Sequence, residues 1–230
     1  MQKQLKYELF PSLLCGNLYN IESSVTKLKT AGYNTMHVDI LDGHFSPSMP
    51  LGIDSVVQMK KTSEDINLDV HIMSTKNDFF VDELLKVECA QMCFHYETTE
   101  HVDYLVRKIK KTGTKVGIAL KPSTPINVLE EIVDSLDYVL LMLINPGFAG
   151  DKSEKQIPYA ADKIKRCRQF LDLRNCDIPI EVDGRITFSN LELLIQAGAN
   201  YFVGGSGLTF APQNSLEENL VKFREIVNCY

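Results

Sequence analysis

Short apolar runs rich in β-branched residues recur about every 25 to 30 residues along this chain, each followed by a segment of helical periodicity. This alternation constrains the fold more than any other feature. Parallel strands need a crossover between them, and a helix serves as one while burying its apolar stripe on the sheet. Eight strand candidates are read: Leu9 to Cys15, Thr35 to Leu41, Leu68 to Met73, Gln91 to Tyr96, Lys115 to Leu120, Tyr138 to Ile144, Ile178 to Val182 and Tyr201 to Gly205. Helix candidates between them include Ile21 to Thr30, Val102 to Lys111, Pro125 to Asp134, Glu154 to Leu171 and Asn190 to Gln196. Ala31-Gly32, Thr112-Gly113 and Ala197-Gly198 precede strands as helix C-caps do. Strict βα alternation over eight units favours an α/β fold closed into a (β/α)₈ TIM barrel over an open doubly wound sheet. With 230 residues, 44% of them hydrophobic, and no linker or low-complexity tract, residues 1–230 read as one domain.

Several function classes recede on composition. The net charge of −6 and pI near 5.4 leave no basic face for a polyanion, so nucleic acid is not expected as a partner. No apolar run approaches the roughly 18 residues that span a bilayer, and Met1 to Leu9, with its lysines and a glutamate, has no signal-peptide core. A cytoplasmic protein without a membrane partner is expected. The six cysteines (Cys15, Cys89, Cys93, Cys167, Cys176 and Cys229) form no CxxC pair and read as reduced, small apolar residues.

In such a barrel, chemistry belongs at the C-terminal strand ends and the loops beyond them. The second strand carries His37 and Asp39 on one face, followed by Asp42-Gly43-His44-Phe45. The third carries Asp69, His71 and Met73 on one face, and the seventh ends at Asp183-Gly184. A lone strand-end His or Asp commonly satisfies a backbone group or caps a helix. Four at corresponding ends, His37, Asp39, His71 and Asp183, instead make a mixed nitrogen and oxygen set. That set suits one divalent ion, zinc, iron, manganese or cobalt, with zinc and manganese first among them. His44, in a loop, and His101, at a helix start, are weaker candidates, and His95 reads as a mid-strand, satisfied core histidine.

Three Gly-rich stretches add a second signal. They are Asn145-Pro146-Gly147-Phe148-Ala149-Gly150, Asp183-Gly184 and Gly204-Gly205-Ser206-Gly207, after the sixth, seventh and eighth strands. Each alone reads as a tight turn. Together, at the phosphate end of a barrel, they offer backbone N–H groups to a phosphate. Met73 and Met142 face the interior, where ordinary packing is the first explanation.

These motifs, with Pro11-Ser12-Leu13, Leu68-Asp69-Val70-His71-Ile72-Met73 and Glu181-Val182-Asp183-Gly184, resemble the ribulose-phosphate 3-epimerase family from about Phe10 to Phe210. The resemblance implies a (β/α)₈ barrel with a divalent metal at the positions of His37, Asp39, His71 and Asp183. It implies Asp39 and Asp183 as the acid/base pair, with Ser12 and His71 against the substrate. The family's phosphate site maps to Gly147, Phe148, Ala149, Gly150, Asp183, Gly184, Gly205 and Ser206. Arg185 stands where a second glycine is usual, and it is expected either to contact phosphate or to face solvent. Asp151 replaces a usual glutamine, Leu41 a common methionine and Leu143 a smaller residue. The partner implied is a phosphorylated ketose, and a homo-oligomer fits the dimers and hexamers common in the family. The reaction expected is D-ribulose 5-phosphate to D-xylulose 5-phosphate by two-carboxylate proton transfer through an enediolate. The alternatives are D-allulose 6-phosphate to D-fructose 6-phosphate, suggested by Gly205-Ser206-Gly207-Leu208, and a non-catalytic sugar-phosphate-binding barrel. A decarboxylase or aldolase would want a lysine paired with aspartates, and Lys121 stands alone.

Overall fold

The computed structural model describes residues 7–230, so most of the stretch read above for a leader lies outside the described residues. Eight parallel strands form one sheet: β1 (Glu8–Pro11), β2 (Thr35–Leu41), β3 (Asn67–Met73), β4 (Gln91–His95), β5 (Lys115–Leu120), β6 (Tyr138–Met142), β7 (Ile180–Asp183) and β8 (Tyr201–Gly204). Their order, β1-β8-β7-β6-β5-β4-β3-β2, puts β1 and β2 at the two ends. A parallel bridge between Ser12 and His37 joins those ends and completes the (β/α)₈ barrel. The seam therefore falls beside the residues of chemical interest.

Seven α-helices are described: α1 (Ile21–Thr30), α2 (Ile53–Thr62), α3 (Asn77–Leu85), α4 (Val102–Lys110), α5 (Ala160–Leu173), α6 (Leu191–Ala197) and α7 (Leu216–Val227). The helix expected over Pro125 to Asp134 is instead a pair of 3₁₀ turns, Ile126–Leu129 and Val133–Ser135. Ile126, Val128, Ile132 and Val133 are β-branched and lose rotamer freedom in a helix. Burying Leu129 and Val133, the pair behind the helical period, requires only turns.

Prolines lie at three of the shifted boundaries. The first strand ends at Pro11, and Leu13–Cys15 curls into a 3₁₀ turn. The seventh starts at Ile180 because Pro179 has no N–H for the ladder. The helix expected from Glu154 begins at Ala160, since Pro158 biases Ile157 to an extended backbone, where its amide reaches Leu143 O at 2.8 Å. Gly32, Gly113 and Gly198 have φ of +84°, +85° and +110°, the left-handed geometry of the C-cap role read for them.

The main core lies between the strands and the helices, and a smaller one fills the barrel with Cys93, Ala119, Tyr138, Leu140, Met142 and Ile144. Leu143 packs into the main core rather than toward the barrel mouth. All six cysteines are free thiols. No helix among the described residues is long and apolar enough to cross a membrane.

Candidate active site

The register of β2 on β3 pairs His37 with Asp69, Asp39 with His71 and Leu41 with Met73. Because strand side chains alternate, all six point into the barrel. Asp183, the last residue of β7, comes in from the other side of the β1–β2 seam. One ligand atom each from His37, Asp39, His71 and Asp183 lies within 4.8 Å of the others. The four sequence candidates are thus brought together. Ser12, just past β1, places its hydroxyl 3.5 Å from Asp39 Oδ2.

Electrostatics separate the two aspartates. Burial works against the Asp39 charge, but His37, by its charge and its hydrogen bond, outweighs it and holds the carboxyl well below the usual range. Burial, and then the Asp39 charge, push Asp183 up to about 6. Without a cation, one carboxylate of the pair is ionised while its neighbour holds a proton readily. Burial lowers the His37 pKa, yet the carboxylates of Asp39 and Asp69 overcome that and raise it well above the ordinary value.

The donors fit a divalent cation. His71 Nδ1 is buried and makes no hydrogen bond, although it sits 3.3 Å from Asp39 Oδ1 and 3.9 Å from Asp183 Oδ2. An orphaned ring nitrogen facing two carboxylates is an unfavourable arrangement unless positive charge lies among them. His37 Nδ1 is held by Asp69 Oδ2 at 2.6 Å, which leaves Nε2, 3.2 Å from Asp39 Oδ1, facing the same point. A carboxylate behind a ligating imidazole is a common outer partner of metal sites.

A cavity of about 560 Å³ opens above this cluster, within the range of small-molecule sites. Ser12, Asp39, Leu41, Met73, Met142, Gly147, Ala149, Gly150, Asp183, Gly184, Arg185, Gly205 and Ser206 line it. His37 and His71 lie beneath, wholly buried. Phe148 is not among the lining residues, and the residue is 37% exposed. Gly147 has φ +84°, and a Cβ there would collide with the buried Ser46 side chain, so only glycine brings this loop so close to the one after β2.

Arg185 adopts φ +54°, the left-handed region that explains why glycine is usual at this position. Its guanidinium donates to Asp151 O at 2.6 Å and Glu154 O at 3.1 Å. Glu154 Oε1 in turn accepts from the Asn145 amide at 2.7 Å and its side chain at 3.0 Å. The charge that was expected on phosphate or in solvent therefore ties the loop after β6 to the turn after β7. The Asp151 side chain accepts from the Ser153 amide and hydroxyl, at 2.8 and 2.7 Å. Arg185→Ala is expected to loosen the loop after β6 where it borders the cavity, raising KM about 3- to 10-fold with kcat nearly unchanged. Steady-state kinetics would show it, and an unchanged KM would mean the loop holds its shape without the clamp.

Sequence reasoning missed a supporting layer. His95 closes β4 instead of lying mid-strand, and its Nε2 is 3.0 Å from His71 Nε2. Gln91 donates to Asp69 at 2.9 Å. Burial and the Asp69 charge push Glu181 well above its ordinary value. Alternation along β4, which turns Gln91, Cys93 and His95 inward together, was the available signal. Lys121, the lysine considered for a different chemistry, places its ammonium 4.2 Å above the Phe45 ring.

Comparison with known proteins agrees with this geometry. The Ribulose-phosphate 3 epimerase family profile matches residues 8–209. The ribulose-phosphate 3-epimerase of Escherichia coli strain K12 is 32% identical over 207 residues, covering 90% of this chain and 91% of that protein. The Bacillus subtilis ribulose-phosphate 3-epimerase is 34% identical over 199 residues, covering 86% and 90%. Among solved structures, 3-hexulose-6-phosphate synthase from Salmonella typhimurium superposes with a TM-score of 0.70 at 13% identity, covering 96% of this chain and 99% of that one. At that identity the likeness is one of fold alone. The chain belongs to the ribulose-phosphate 3-epimerase family, and it is an isomerase that epimerises a ketose phosphate.

Proposed function

We propose that the enzyme interconverts D-ribulose 5-phosphate and D-xylulose 5-phosphate, using a divalent metal and two carboxylates. The observation that carries the proposal is the convergence of Asp39 and Asp183, from strands on opposite sides of the seam, at one cavity floor. Inverting a carbon beside a ketone requires removing its proton on one face and returning one on the other. Two carboxylates approaching from different strands do this without the sugar turning over, as base and acid in alternation. Ser12 positions Asp39 through its hydroxyl, 3.5 Å from Oδ2. Leu41, Met73 and Met142 supply an aprotic wall that keeps bulk water from the reacting carbon.

His37, Asp39, His71 and Asp183 would hold the ion, zinc or manganese by donor type. A cation there would supply positive charge against the oxyanion that develops as the C3 proton leaves. At the far end of the cavity, Gly147, Ala149, Gly150, Gly184, Gly205 and Ser206 leave room for main-chain contact with a phosphate. The names of the bacterial relatives support the pentulose reading.

The test is exchange in D₂O. Metal-loaded protein is incubated with ribulose 5-phosphate and, separately, with allulose 6-phosphate, and deuterium entry at C3 is followed by NMR. Incorporation into the pentulose is expected. Exchange favouring the hexulose would move the assignment to allulose 6-phosphate. Silence with both, in protein shown to hold metal, would overturn the substrate assignment and favour a non-catalytic sugar-phosphate binder.

A further inference from the structure

Behind His71 runs a chain of groups that the proton transfer itself does not use. His71 Nε2 and His95 Nε2 are 3.0 Å apart, and both rings are wholly buried. His95 Nδ1 lies 3.0 Å from Glu97 Oε2. Glu97 Oε1 accepts from the Lys121 amide at 2.7 Å and from the Thr124 hydroxyl. The Phe45 ring covers His95, with centroids 4.7 Å apart.

Proton placement along this chain follows from its far end. Glu97 is ionised: burial opposes its charge, but His95, Thr124 and the Lys121 amide outweigh burial and hold the carboxyl at about 2. A carboxylate accepts only, so the His95 proton must sit on Nδ1, where it points at Glu97. Complete burial disfavours a charged ring, so His95 is a neutral imidazole and its Nε2 carries a lone pair. Only one hydrogen fits between two ring nitrogens 3.0 Å apart, so it belongs to His71 Nε2. His71 Nδ1 is left with its lone pair aimed at Asp39 and Asp183, and it is the buried ring nitrogen without a hydrogen bond described above.

We infer that Glu97 acts through His95 as a positioning residue for His71, fixing its proton on Nε2 so that Nδ1 presents a lone pair to the metal centre. The inference rests on the proposed metal site. It gives His71 a counterpart to the Asp69 carboxylate behind His37, one shell further out. The reverse tautomers would set a His95 lone pair against Glu97 and a His71 N–H against the ion. Outer partners of this kind typically contribute 10- to 100-fold in metal affinity.

Zinc affinity by chelator competition, together with long-range ¹H–¹⁵N NMR of the histidine rings, tests it on the full chain. In zinc-loaded wild type, His71 is expected to carry its proton on Nε2. Glu97→Gln is expected to weaken zinc binding 10- to 100-fold and to disturb the His71 ring signals, even where the thermal midpoint is little changed. A proton on His71 Nδ1 in the loaded wild type would overturn the inference, whether or not the variant folds. So would a Glu97→Gln protein with wild-type zinc affinity and His71 signals, while leaving the metal site itself standing. Failure of the wild type to take up zinc, manganese or cobalt would overturn the metal site and this inference together.

Discussion

Asp183→Asn is expected to lower kcat by about 10²- to 10⁴-fold, the usual cost of losing a proton-transfer group, and Asp39→Asn to do the same. Both side chains reach the cavity floor. An amide keeps the volume of the carboxyl but cannot take the C3 proton at neutral pH. The readout is turnover of ribulose 5-phosphate in a coupled assay, with bound metal measured on the same samples, because both residues belong to the candidate ligand set. Near-normal turnover in either variant would remove that residue from the acid/base pair. Loss of turnover with full metal content would place the defect in proton transfer rather than in assembly of the site.

The largest effect on stability is expected at Lys163→Met. Lys163 is buried on α5, and its ammonium donates to Lys121 O at 2.5 Å, Pro122 O at 2.8 Å and Thr124 O at 2.8 Å. All three of its hydrogens are thereby used, and the loop leaving β5 is fastened to α5. Methionine retains most of the apolar stem but strips the donors, leaving three carbonyls to find other partners. At about 1–3 kcal/mol for each buried group left unsatisfied, partly relieved by water, the loss is about 3–5 kcal/mol. For a chain of this length that lowers Tm by about 6–20 °C, measurable by thermal unfolding. A shift under about 2 °C, less than 1 kcal/mol, would mean that ordered water replaces the amine. The same loop supplies the Lys121 amide and the Thr124 hydroxyl to Glu97, so the variant also bears on the support behind His71.

Much of the molecule is legible in the amino-acid order, because the signals are local. Period-two and helical patterns in succession indicate the eight βα units, and β2 and β5 match their expected bounds. Strand alternation alone puts His37 with Asp39 and Asp69 with His71 on shared faces. Four polar residues at corresponding strand ends then converge because a barrel brings its strand ends together. Where the reading missed, a competing local effect won: prolines moved the starts of β7 and α5, and β-branched residues turned an expected helix into two 3₁₀ turns.

Other features depend on contacts between residues far apart in the chain, to which no periodicity points. Arg185 folds back on the loop after β6, because a left-handed backbone and two carbonyls more than 30 residues away hold it there. Phe148 is partly exposed and does not line the cavity, while Gly147 and Gly150 of the same loop do. The proton positions on His71 and His95 follow from Glu97, whose carboxylate is held between His95 and the loop leaving β5. The sequence by itself determined the barrel and the identity of the candidate reactive side chains, since both follow from spacing along single strands. The tertiary structure decided which nitrogen of each imidazole faces the centre and where the cationic side chains go, because distances across strands and loops govern both.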